Sequence, residues 1–520
     1  MSTKGNSLSL LIDELLKQFL PDEDPRPEGS SGKIVRDAVW GMISLRPHEV
    51  ALVDTPLFQR LRGIFQTGFT YLVYPCAVHS RFEHSLGCFH LASRVIQAVN
   101  HNQAAGDDAP KITPAEEGTV RIAALLHDIA HCVFSHVSET IYERDPLVNE
   151  AREKVRKLFP KDLEKKYVGA GEVLAYNIIT SARFKSYFRK ILKACGVRDD
   201  INPENIARLI VGLPPKEHQD RLYLPQIING PFDVDKLDYQ SRDGHFTGIA
   251  IPVDTERLLA SLCLVRDDEN RWFLAIDHRG VAAIEQMLFN RMLLYDSVYH
   301  HHKVRAAVKL FQSETARVPL KLSWLLLHDE YDFYGFNETP KGLSKLITKL
   351  RRRQLPYRAL VLHRTTINGG IGKWHEMILR AHSPDEADKS TANRWFKSIE
   401  RRIASGVPAI GDGVYLDVPK PPEFQILQRG TYIKMTGREK LVLDQLFPIT
   451  STINSYAQQC KYRAYLFAPR DKQEAVAIAA YKVFKAEGIQ LNQEAFRLAR
   501  IDPNIVTKGV GGLIPKAEIA

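Results

Sequence analysis

The feature that most constrains this chain is the adjacent pair His127 and Asp128, which lies inside the apolar segment ALLHDIAHCVFSH. Two other segments carry side chains of the same kind: HSRFEHSLG contains His84, and FDVDKLDY contains Asp235. Histidines and carboxylates are rarely buried without a partner, so their recurrence in such segments indicates a site. Two imidazoles and two carboxylates form a mixed nitrogen and oxygen set that suits one divalent ion such as Mn, Mg, Fe, Zn or Ni. These residues therefore predict a metal-dependent hydrolase of phosphorus esters.

The apolar residues around these side chains follow a helical period. Apolar positions recur at intervals of three and four over residues 82–99, and they place His84 on an inner face. The same period over residues 119–131 directs His127 and His131 inward. A third, shorter helix is expected around FDVDKLDYQSRD. Because a helix holds ligands at a more fixed geometry than a loop does, we expect three helices to converge on one metal.

Two other sites of known spacing are disfavoured by the residues present. HDIAH places two histidines four residues apart, as in a zinc metalloprotease helix, but the general base of that motif is a glutamate, and Asp128 stands in its place. The shorter carboxylate is better suited to bind the metal directly. The stretch GGIGKW lacks the first glycine of a P-loop at the required spacing, and Trp374 replaces its serine or threonine. We interpret that stretch as a turn.

Several blocks of the sequence resemble the HD-domain deoxynucleoside triphosphate triphosphohydrolases, a family that includes the vertebrate SAM- and HD-domain enzymes and the bacterial dGTPases. The blocks are KIVRDAVWGMISLRP, DTPLFQRLRGIFQTG, YPCAVHSRFEHSLG, LLHDIAHCVFSH, DVDKLDYQSRDGHFTG and residues 291–304. They occur in the order typical of the family, between residues 33 and 310. The resemblance implies a mainly α fold, with an HD-domain helical core and a smaller α+β C-terminal region.

The resemblance also implies a role for individual residues. The metal ligands it implies are His84, His127, Asp128 and Asp235. The implied contacts to the triphosphate are Arg81, Lys236, Tyr239 and Arg291, and those to the sugar and its 3′-hydroxyl are Gln66, Asp243 and Tyr299. His131 and His136 match histidines that face the α-phosphate, and they form the implied catalytic set together with Arg81 and Asp128.

The implied reaction is the attack of water on the α-phosphorus of a dNTP, with dGTP among the candidates, to give a deoxynucleoside and inorganic triphosphate. The metal polarises a phosphoryl oxygen and helps to deprotonate water, while Arg81 and Lys236 neutralise developing charge. His131 is the first candidate for proton transfer, because an unperturbed imidazole titrates near the working pH. Such an enzyme serves control of dNTP pools or antiviral defence, and no residue separates the two.

The chain departs from the family pattern beside this site. Some family members carry a further histidine in a His-Glu-x-Gly-Ser setting, whereas the best match in this chain is YVGAGE, residues 167–172, which has no histidine near Val168. Glu139 also stands three residues after His136, where an aspartate is usual. The identity of the proton donor therefore stays open.

The block DTPLFQRLR has two interpretations. In activated members of the family, it matches residues that bind a regulatory nucleotide between subunits. The implied regulatory residues are Asp54, Gln59 and Arg62, with Val73, Phe82 and Lys303 lining a neighbouring site. The same block is also an ordinary helix start, in which Asp54 or Thr55 is the N-cap and Pro56 lies in the first turn.

Other functions remain open at this point. HD sites also hydrolyse phosphodiesters and monophosphates, so a phosphatase or nuclease acting on nucleotides or single-stranded nucleic acid is the first alternative. A nucleotide-sensing scaffold with weak chemistry is the second, and the missing histidine supports it.

Composition bounds the partners and the compartment. The net charge of +10 favours nucleotides and allows weak nucleic-acid binding. The 6 cysteines are dispersed, which predicts reduced thiols in a cytoplasm. The N-terminus does not resemble a signal peptide, and no stretch is long and apolar enough to span a membrane. The resemblance implies a homo-oligomer, whether dimer, tetramer or hexamer.

The sequence divides into four consecutive regions. Residues 1–32 are predicted to be an N-terminal helix and a linker rich in Pro, Gly, Ser and acids. Residues 33–310 are the HD-domain catalytic core, and residues 311–424 are a mixed α/β regulatory or oligomerisation region that ends at PKPPEF. Residues 425–520 are an α+β region with a flexible tail. Within the last two regions we expect a strand at 358–363 and helices at 388–405 and 473–487.

Overall fold

The computed structural model describes residues 7–20, 31–103, 108–161, 168–198, 200–335, 340–381, 386–411, 413–419, 432–435, 440–442, 449–456 and 461–516. The described residues form two compact units. Those of the first unit lie within 1–294, 318–341 and 424–451, and those of the second lie within 295–317, 342–423 and 452–520. The units are thus discontinuous in sequence, whereas the predicted domains are consecutive segments.

Helices make up most of the described chain. They are α1 Leu8–Phe19, α2 Pro47–Val53, α3 Pro56–Gln59, α4 Arg81–His101, α5 Pro114–Leu126, α6 His136–Tyr142, α7 Pro146–Arg156, α8 Ala170–Thr180, α9 Ala182–Ala194, α10 Pro203–Val211, α11 Tyr223–Ile228, α12 Val234–Thr247, α13 Thr255–Ala260, α14 Val281–Leu294, α15 His302–Arg317, α16 Leu322–Leu327, α17 Glu330–Gly335, α18 Ser344–Arg351, α19 Gly370–Ala381, α20 Glu386–Ser405, α21 Ile449–Tyr456, α22 Gln473–Ala486, α23 Glu494–Arg497 and α24 Pro503–Val510. The mainly α fold class is confirmed. None of the helices in the described part of the chain is long and apolar enough to cross a membrane.

Three small sheets accompany the helices. The strands are β1 Lys33–Asp37, β2 Gly41–Leu45, β3 Leu262–Arg266, β4 Trp272–Asp277, β5 Tyr357–Leu362, β6 Tyr415–Asp417, β7 Tyr432–Lys434, β8 Lys440–Val442 and β9 Ala464–Ala468. In the first unit, β1 and β2 form a hairpin, and a second sheet has the order β3-β4-β7-β8 with β4 and β7 parallel. In the second unit, β5-β9-β6 is antiparallel throughout.

The helices that carry the predicted site begin at well-formed caps. Ser80 starts α4 with a capping box to Glu83, and Thr113 starts α5 in the same way with Pro114 in the first turn. Asp233 caps α12, which ends at Gly248 in the left-handed region with φ 71°. Because α5 is buried on every side from Val120 to Leu126, it forms the centre of the first unit.

The predicted helix over residues 119–131 is wrong at its C-terminal end. The helix stops at Leu126, and the chain then makes two tight turns, in which Ile129 N–H bonds to Leu126 and His131 N–H bonds to Asp128. Arg60 explains the break, because its guanidinium donates to the carbonyls of Ile129 and His131, at 3.0 and 2.8 Å. Those carbonyls are therefore satisfied without continuing the helix.

Several other predicted elements are confirmed. The structure forms the expected strand as β5 and the expected helices as α20 and α22. The N-terminal helix is α1, and its apolar face is buried. Residues 21–30 of the predicted linker and residues 420–424 of the predicted PKPPEF boundary lie outside the described residues. In the predicted tail, Ile514 is buried and the Pro515 carbonyl accepts from the Gln493 N–H.

Candidate metal centre

The four predicted metal ligands meet at the ends of three helices. His84 lies in the first turn of α4, and Asp235 lies in the first turn of α12. His127 is the C-cap of α5, and Asp128 follows it. His84 Nε2 lies 3.3 Å from His127 Nε2, 3.4 Å from Asp128 Oδ2 and 3.0 Å from Asp235 Oδ1. Ligand atoms about 2.1 Å from one ion in tetrahedral geometry are about 3.4 Å apart, so the distances from His84 suit one ion. The group whose candidate ligand atoms all lie within 4.8 Å of one another contains Cys88 in place of Asp128.

Hydrogen bonds set the tautomers of both histidines. His127 Nδ1 lies 2.7 Å from the carbonyl of Ala124, which can only accept, so Nδ1 carries the proton. His84 Nδ1 lies 2.7 Å from Asp238 Oδ2 and donates to this carboxylate. Each neutral ring therefore turns an Nε2 lone pair toward the other ring, beside two carboxylates. This arrangement requires a positive charge, and a divalent cation fits it.

The acidic groups around His84 also favour a positive charge at this site. Burial lowers the pKa of His84, but the neighbouring Cys88, Asp235 and Asp238 raise it to a value well above the usual range. Cys88 lies one turn along α4, and its thiol, His84, His127 and Asp235 offer atoms that all lie within 4.8 Å of one another.

A buried carboxylate holds His84 in place. Asp238 is fully buried, and besides His84 Nδ1 it accepts from Arg242 Nε at 2.8 Å and Arg242 Nη2 at 3.0 Å. Trp40 Nε1 donates to Asp238 Oδ1 at 2.5 Å, and Arg242 Nη1 donates to Asp37 Oδ2 at 2.9 Å. Burial raises the pKa of Asp238, but Arg242 and His84 lower it to about 2, so the carboxylate is ionised. A carboxylate behind a ligating imidazole fixes the ring and increases its basicity.

The residues that support His84 from behind were not predicted from the sequence. Asp238 follows Asp235 by three positions inside the motif FDVDKLDY, and Arg242 follows by one more helical turn. The spacing of four between Asp238 and Arg242 on one helix was a usable signal for an ion pair. The partners Asp37 and Trp40 lie about 200 residues away in the chain, beyond the reach of any local pattern.

Cations and histidines border the ligand cluster. Arg81 is buried and donates from Nη1 to Asp128 Oδ2 at 2.5 Å and from Nε to Ser135 Oγ at 3.0 Å. Burial raises the pKa of Asp128, but Arg81, His127 and His131 hold it well below its usual range. Arg81 Nη2 has no hydrogen-bond partner among the described residues. A buried cationic donor in this state suits an anionic ligand.

The two catalytic candidates among the histidines differ in environment. His131 Nε2 lies 3.1 Å from Asp128 Oδ1, and burial together with Arg81 lowers its pKa to about 4, so the ring is neutral near pH 7. This differs from the expectation that its pKa lies near the working pH. His136 is exposed and lies 3.0 Å from Glu139, which also accepts from the Gly171 N–H. The stretch that best matches the family histidine's setting, residues 167–172, contains no histidine, and its Val168 is buried.

The residues implied for substrate binding differ in their burial and in their hydrogen-bond partners. Lys236 turns its ammonium to the carbonyl of Gly230 at 2.9 Å and to Asp233. Asp243 bonds to His79 at 2.7 Å. Of the remaining first-unit residues in this set, Gln66 and Arg291 are buried and Tyr239 is half-buried. Tyr299 belongs to the second unit.

The residues implied for regulation divide between the two units, with Lys303 in the second and the others in the first. Thr55 caps α3 and Leu57 is buried, as the helix-start interpretation expects. Gln59 donates to the carbonyl of Val53 and accepts from Arg62 Nε, each at 2.8 Å. The Arg62 guanidinium lies 3.5 Å from the ring centroid of buried Phe82. The other implied residues are Asp54, which accepts from Lys33 at 3.2 Å, half-buried Val73, and Lys303 in the second unit.

Comparisons with known protein families match two segments of the chain. The HD domain family matches residues 81–211, and the HD associated region matches residues 253–495. An uncharacterized protein from Methanocaldococcus jannaschii is 27% identical over 85% of this chain and 80% of its own length. A crystal structure of a hypothetical protein from Aquifex aeolicus, 21% identical, superposes with a TM-score of 0.60 and covers 86% of this chain and 99% of that one. This likeness shows the fold.

Named enzymes are also among the relatives. The deoxynucleoside triphosphate triphosphohydrolase SAMHD1 homolog of Dictyostelium discoideum is 32% identical over 57% of this chain, and SAMHD1 of Gallus gallus is 31% identical over 58%. The chain spans about half the length of these relatives, at 52% and 48%. Residues 81–211 thus form an HD domain, the chain is similar to these triphosphohydrolases over more than half of its length, and it is a hydrolase of the HD superfamily.

Proposed function

We propose that this protein hydrolyses deoxynucleoside triphosphates to deoxynucleosides and inorganic triphosphate. The observation that carries the proposal is the convergence of two Nε2 lone pairs and two carboxylates beside Arg81, whose Nη2 lacks a partner in the described part of the chain. The similarity to named triphosphohydrolases supports this substrate class.

His84, His127, Asp128 and Asp235 hold the divalent ion. When bound, the ion supplies Lewis-acid polarisation of a phosphoryl oxygen and lowers the pKa of water. Its identity among Mn, Mg, Fe, Zn and Ni is open, because the ligand set suits each of them.

The surrounding side chains supply charge and proton transfer. Arg81, fixed between Asp128 and Ser135, neutralises negative charge on the α-phosphate as the phosphorus is attacked. The neutral ring of His131 donates from Nε2 to Asp128, so its Nδ1, which has no hydrogen-bond partner among the described residues, would accept the proton of the attacking water. His136, paired with Glu139 at an exposed position, is suited to give a proton to the departing 5′-oxygen.

The remaining contacts bind the substrate. Lys236, Tyr239 and Arg291 are assigned to the triphosphate, and Gln66, Asp243 and Tyr299 to the sugar. Lys236 must exchange its bond to Asp233 for a phosphate oxygen, which its flexible stem allows. The proposal also includes a regulatory nucleotide, bound by Asp54, Gln59 and Arg62, with Val73, Phe82 and Lys303 assigned to a neighbouring site. It further includes a homo-oligomer, in which such a site lies between subunits. The biological role is control of dNTP pools or antiviral defence.

Product analysis tests the proposal. Purified protein is given Mn²⁺ or Mg²⁺ with each dNTP, alone and in pairs, and the products are separated by anion exchange. We expect triphosphate and deoxynucleoside, with Asp128→Ala inactive and Asp108→Ala active, because Asp108 lies in an exposed ion pair with Arg266 at 3.3 Å. Activity only with pairs supports the regulatory site. Intact dNTPs in every mixture overturn the proposal, and degradation of single-stranded nucleic acid or of monophosphates favours the alternative phosphatase or nuclease.

A further inference from the structure

The segment just after the HD pair has an unusual backbone. Phe134 and Ser135 are consecutive non-glycine residues in the left-handed region, with φ of 58° and 52°. Such a conformation is unfavourable for side chains with a Cβ and persists only where the surroundings impose it.

One buried carboxyl group from a distant helix holds this turn. Glu330, at the start of α17, is 1% exposed, and its Oε1 accepts from Phe134 N–H at 2.9 Å and Phe65 N–H at 2.8 Å. Its Oε2 has no partner among the described residues. Three residues along α17, the ring of Phe333 packs edge-on against Phe134 with centroids 5.0 Å apart. The same helix thus fixes both the backbone and the ring of Phe134.

A buried arginine holds the other side of the turn. Arg60 Nη2 donates to the carbonyls of Ile129 and His131, as described above, and its Nε and Nη1 have no partner among the described residues. Burial raises the pKa of Glu330 to about 8, so its carboxyl is neutral at pH 7 and holds the turn through hydrogen bonds.

The turn connects directly to the metal centre. Ser135 Oγ donates to the carbonyl of Phe65 at 2.6 Å and accepts from Arg81 Nε at 3.0 Å. Arg81 in turn contacts Asp128. His136 begins the next helix immediately after Ser135. A shift of the turn would therefore move the phosphate-binding cation and an implied catalytic histidine together.

The geometry points to Glu330 as a positioning residue that holds the Phe134–Ser135 turn and so sets Arg81 and His136 for an anionic substrate. The effect on the substrate rests on the proposed function, whereas the role of Glu330 in holding the turn does not. Glu330 lies outside the segment that matches the HD domain, within the HD associated region.

Glutamine and alanine variants separate the inference from a general role in stability. Glu330→Gln resembles the neutral acid and keeps an oxygen at Oε1, whereas Glu330→Ala removes it. Glu49→Ala is the matched control, because Glu49 is equally buried and bonded to Arg121 at 2.7 and 2.8 Å, without contact to the turn. Hydrogen exchange of the peptide covering residues 129–136 is measured by mass spectrometry, together with KM and kcat for dNTPs.

We expect Glu330→Ala to speed exchange of this peptide at least tenfold and to raise KM more than it lowers kcat, and Glu330→Gln to retain wild-type exchange and KM at pH 7. Glu49→Ala should lower the melting temperature without changing exchange in this peptide. If Glu330→Ala does not fold, Ser135→Ala leaves the hydrogen bonds of Glu330 in place, removes the contact to Arg81 and should still raise KM. Unchanged exchange in Glu330→Ala, equal effects of Glu49→Ala, or an unchanged KM in Ser135→Ala overturns the inference. Because exchange does not depend on turnover, it still tests the role of Glu330 in holding the turn if no dNTP is hydrolysed.

Discussion

The hydrogen bond from His84 to Asp238 predicts a specific loss of metal affinity when the carboxylate is replaced by an amide. Each oxygen of Asp238 accepts two bonds: Oδ1 from Trp40 and Arg242, and Oδ2 from His84 and Arg242. In Asp238→Asn, the amide nitrogen must face one of these donor pairs in either orientation. The variant therefore loses both a negative charge and two acceptor contacts behind a metal ligand.

The expected magnitude follows from these contacts. Loss of a partner behind a ligating histidine weakens metal binding about 10- to 100-fold, which is about 1.4–2.7 kcal/mol. Buried donors left without an acceptor cost the fold about 1–3 kcal/mol as well. Asp37 still pairs with Arg242, so the arginine is not left without a counter-charge.

Asp417→Asn is the matched control for the effect on folding. Asp417 is buried and accepts from Arg305 Nε at 2.8 Å and Arg305 Nη2 at 2.7 Å, which repeats the Asp238–Arg242 geometry. Its carboxylate accepts no histidine hydrogen bond among the described residues. Both variants should unfold at lower urea concentration than the wild type, but only Asp238→Asn should bind metal more weakly.

The assay is calorimetric titration of Mn²⁺ into metal-free protein, with urea unfolding measured in parallel. The reasoning is refuted if folded Asp238→Asn binds Mn²⁺ within twofold of the wild type. It is equally refuted if Asp417→Asn loses as much affinity, because the effect would then come from the loss of a buried ion pair in general.

Three further predictions concern stability. Gly87→Ala places a Cβ too close to the Asp238 carboxylate, so it should lower the free energy of unfolding in urea by about 1–3 kcal/mol. In Gly171→Ala the nearest atoms lie 3.7 Å or more from the new Cβ, so this variant should be tolerated. Equal stability of the two variants would contradict this account. Because the pKa of Glu330 is raised from 4.5 to about 8 in the folded chain, its contribution to stability is complete below pH 4.5 and is lost as the pH rises to 8. Relative to Glu330→Gln, the unfolding free energy of the wild type should fall by about 5 kcal/mol across that window, and a flat difference refutes the assignment. Removing metal with a chelator should lower the melting temperature of the wild type and leave that of Asp128→Ala unchanged, as scanning calorimetry will show.

The ligand residues of the site were accessible from sequence because each lies in a short segment with its own pattern. His84 repeats the period of a long helix, and the structure forms that helix as α4. Asp235 lies one position into a capped helix whose N-cap, Asp233, belongs to the same motif. Such local signals need no knowledge of the rest of the fold.

The rest of the site depends on contacts that no local pattern contains. Helical periodicity predicted a helix as far as His131, but the helix ends at Leu126. In the residues that follow, Arg60, from another segment, donates to the carbonyls of Ile129 and His131. The pKa of His131 also follows from burial beside Arg81, which the sequence does not reveal. Glu330 lies 196 residues from the amide of Phe134 that it holds. Tertiary contacts decided each of these features.

The wide sequence spacing of the metal centre determines when the site can form as the chain folds. His84 and His127 are 43 residues apart, His84 and Asp238 are 154 apart, and the support from Asp37 to Arg242 spans 205. Closing loops of this length costs entropy before any contact offsets it, so such contacts form slowly. The ion therefore cannot act as a folding nucleus in the way that zinc organises a small finger domain. The metal-free chain must complete its helical core first, and refolding should proceed at the same rate with or without the ion.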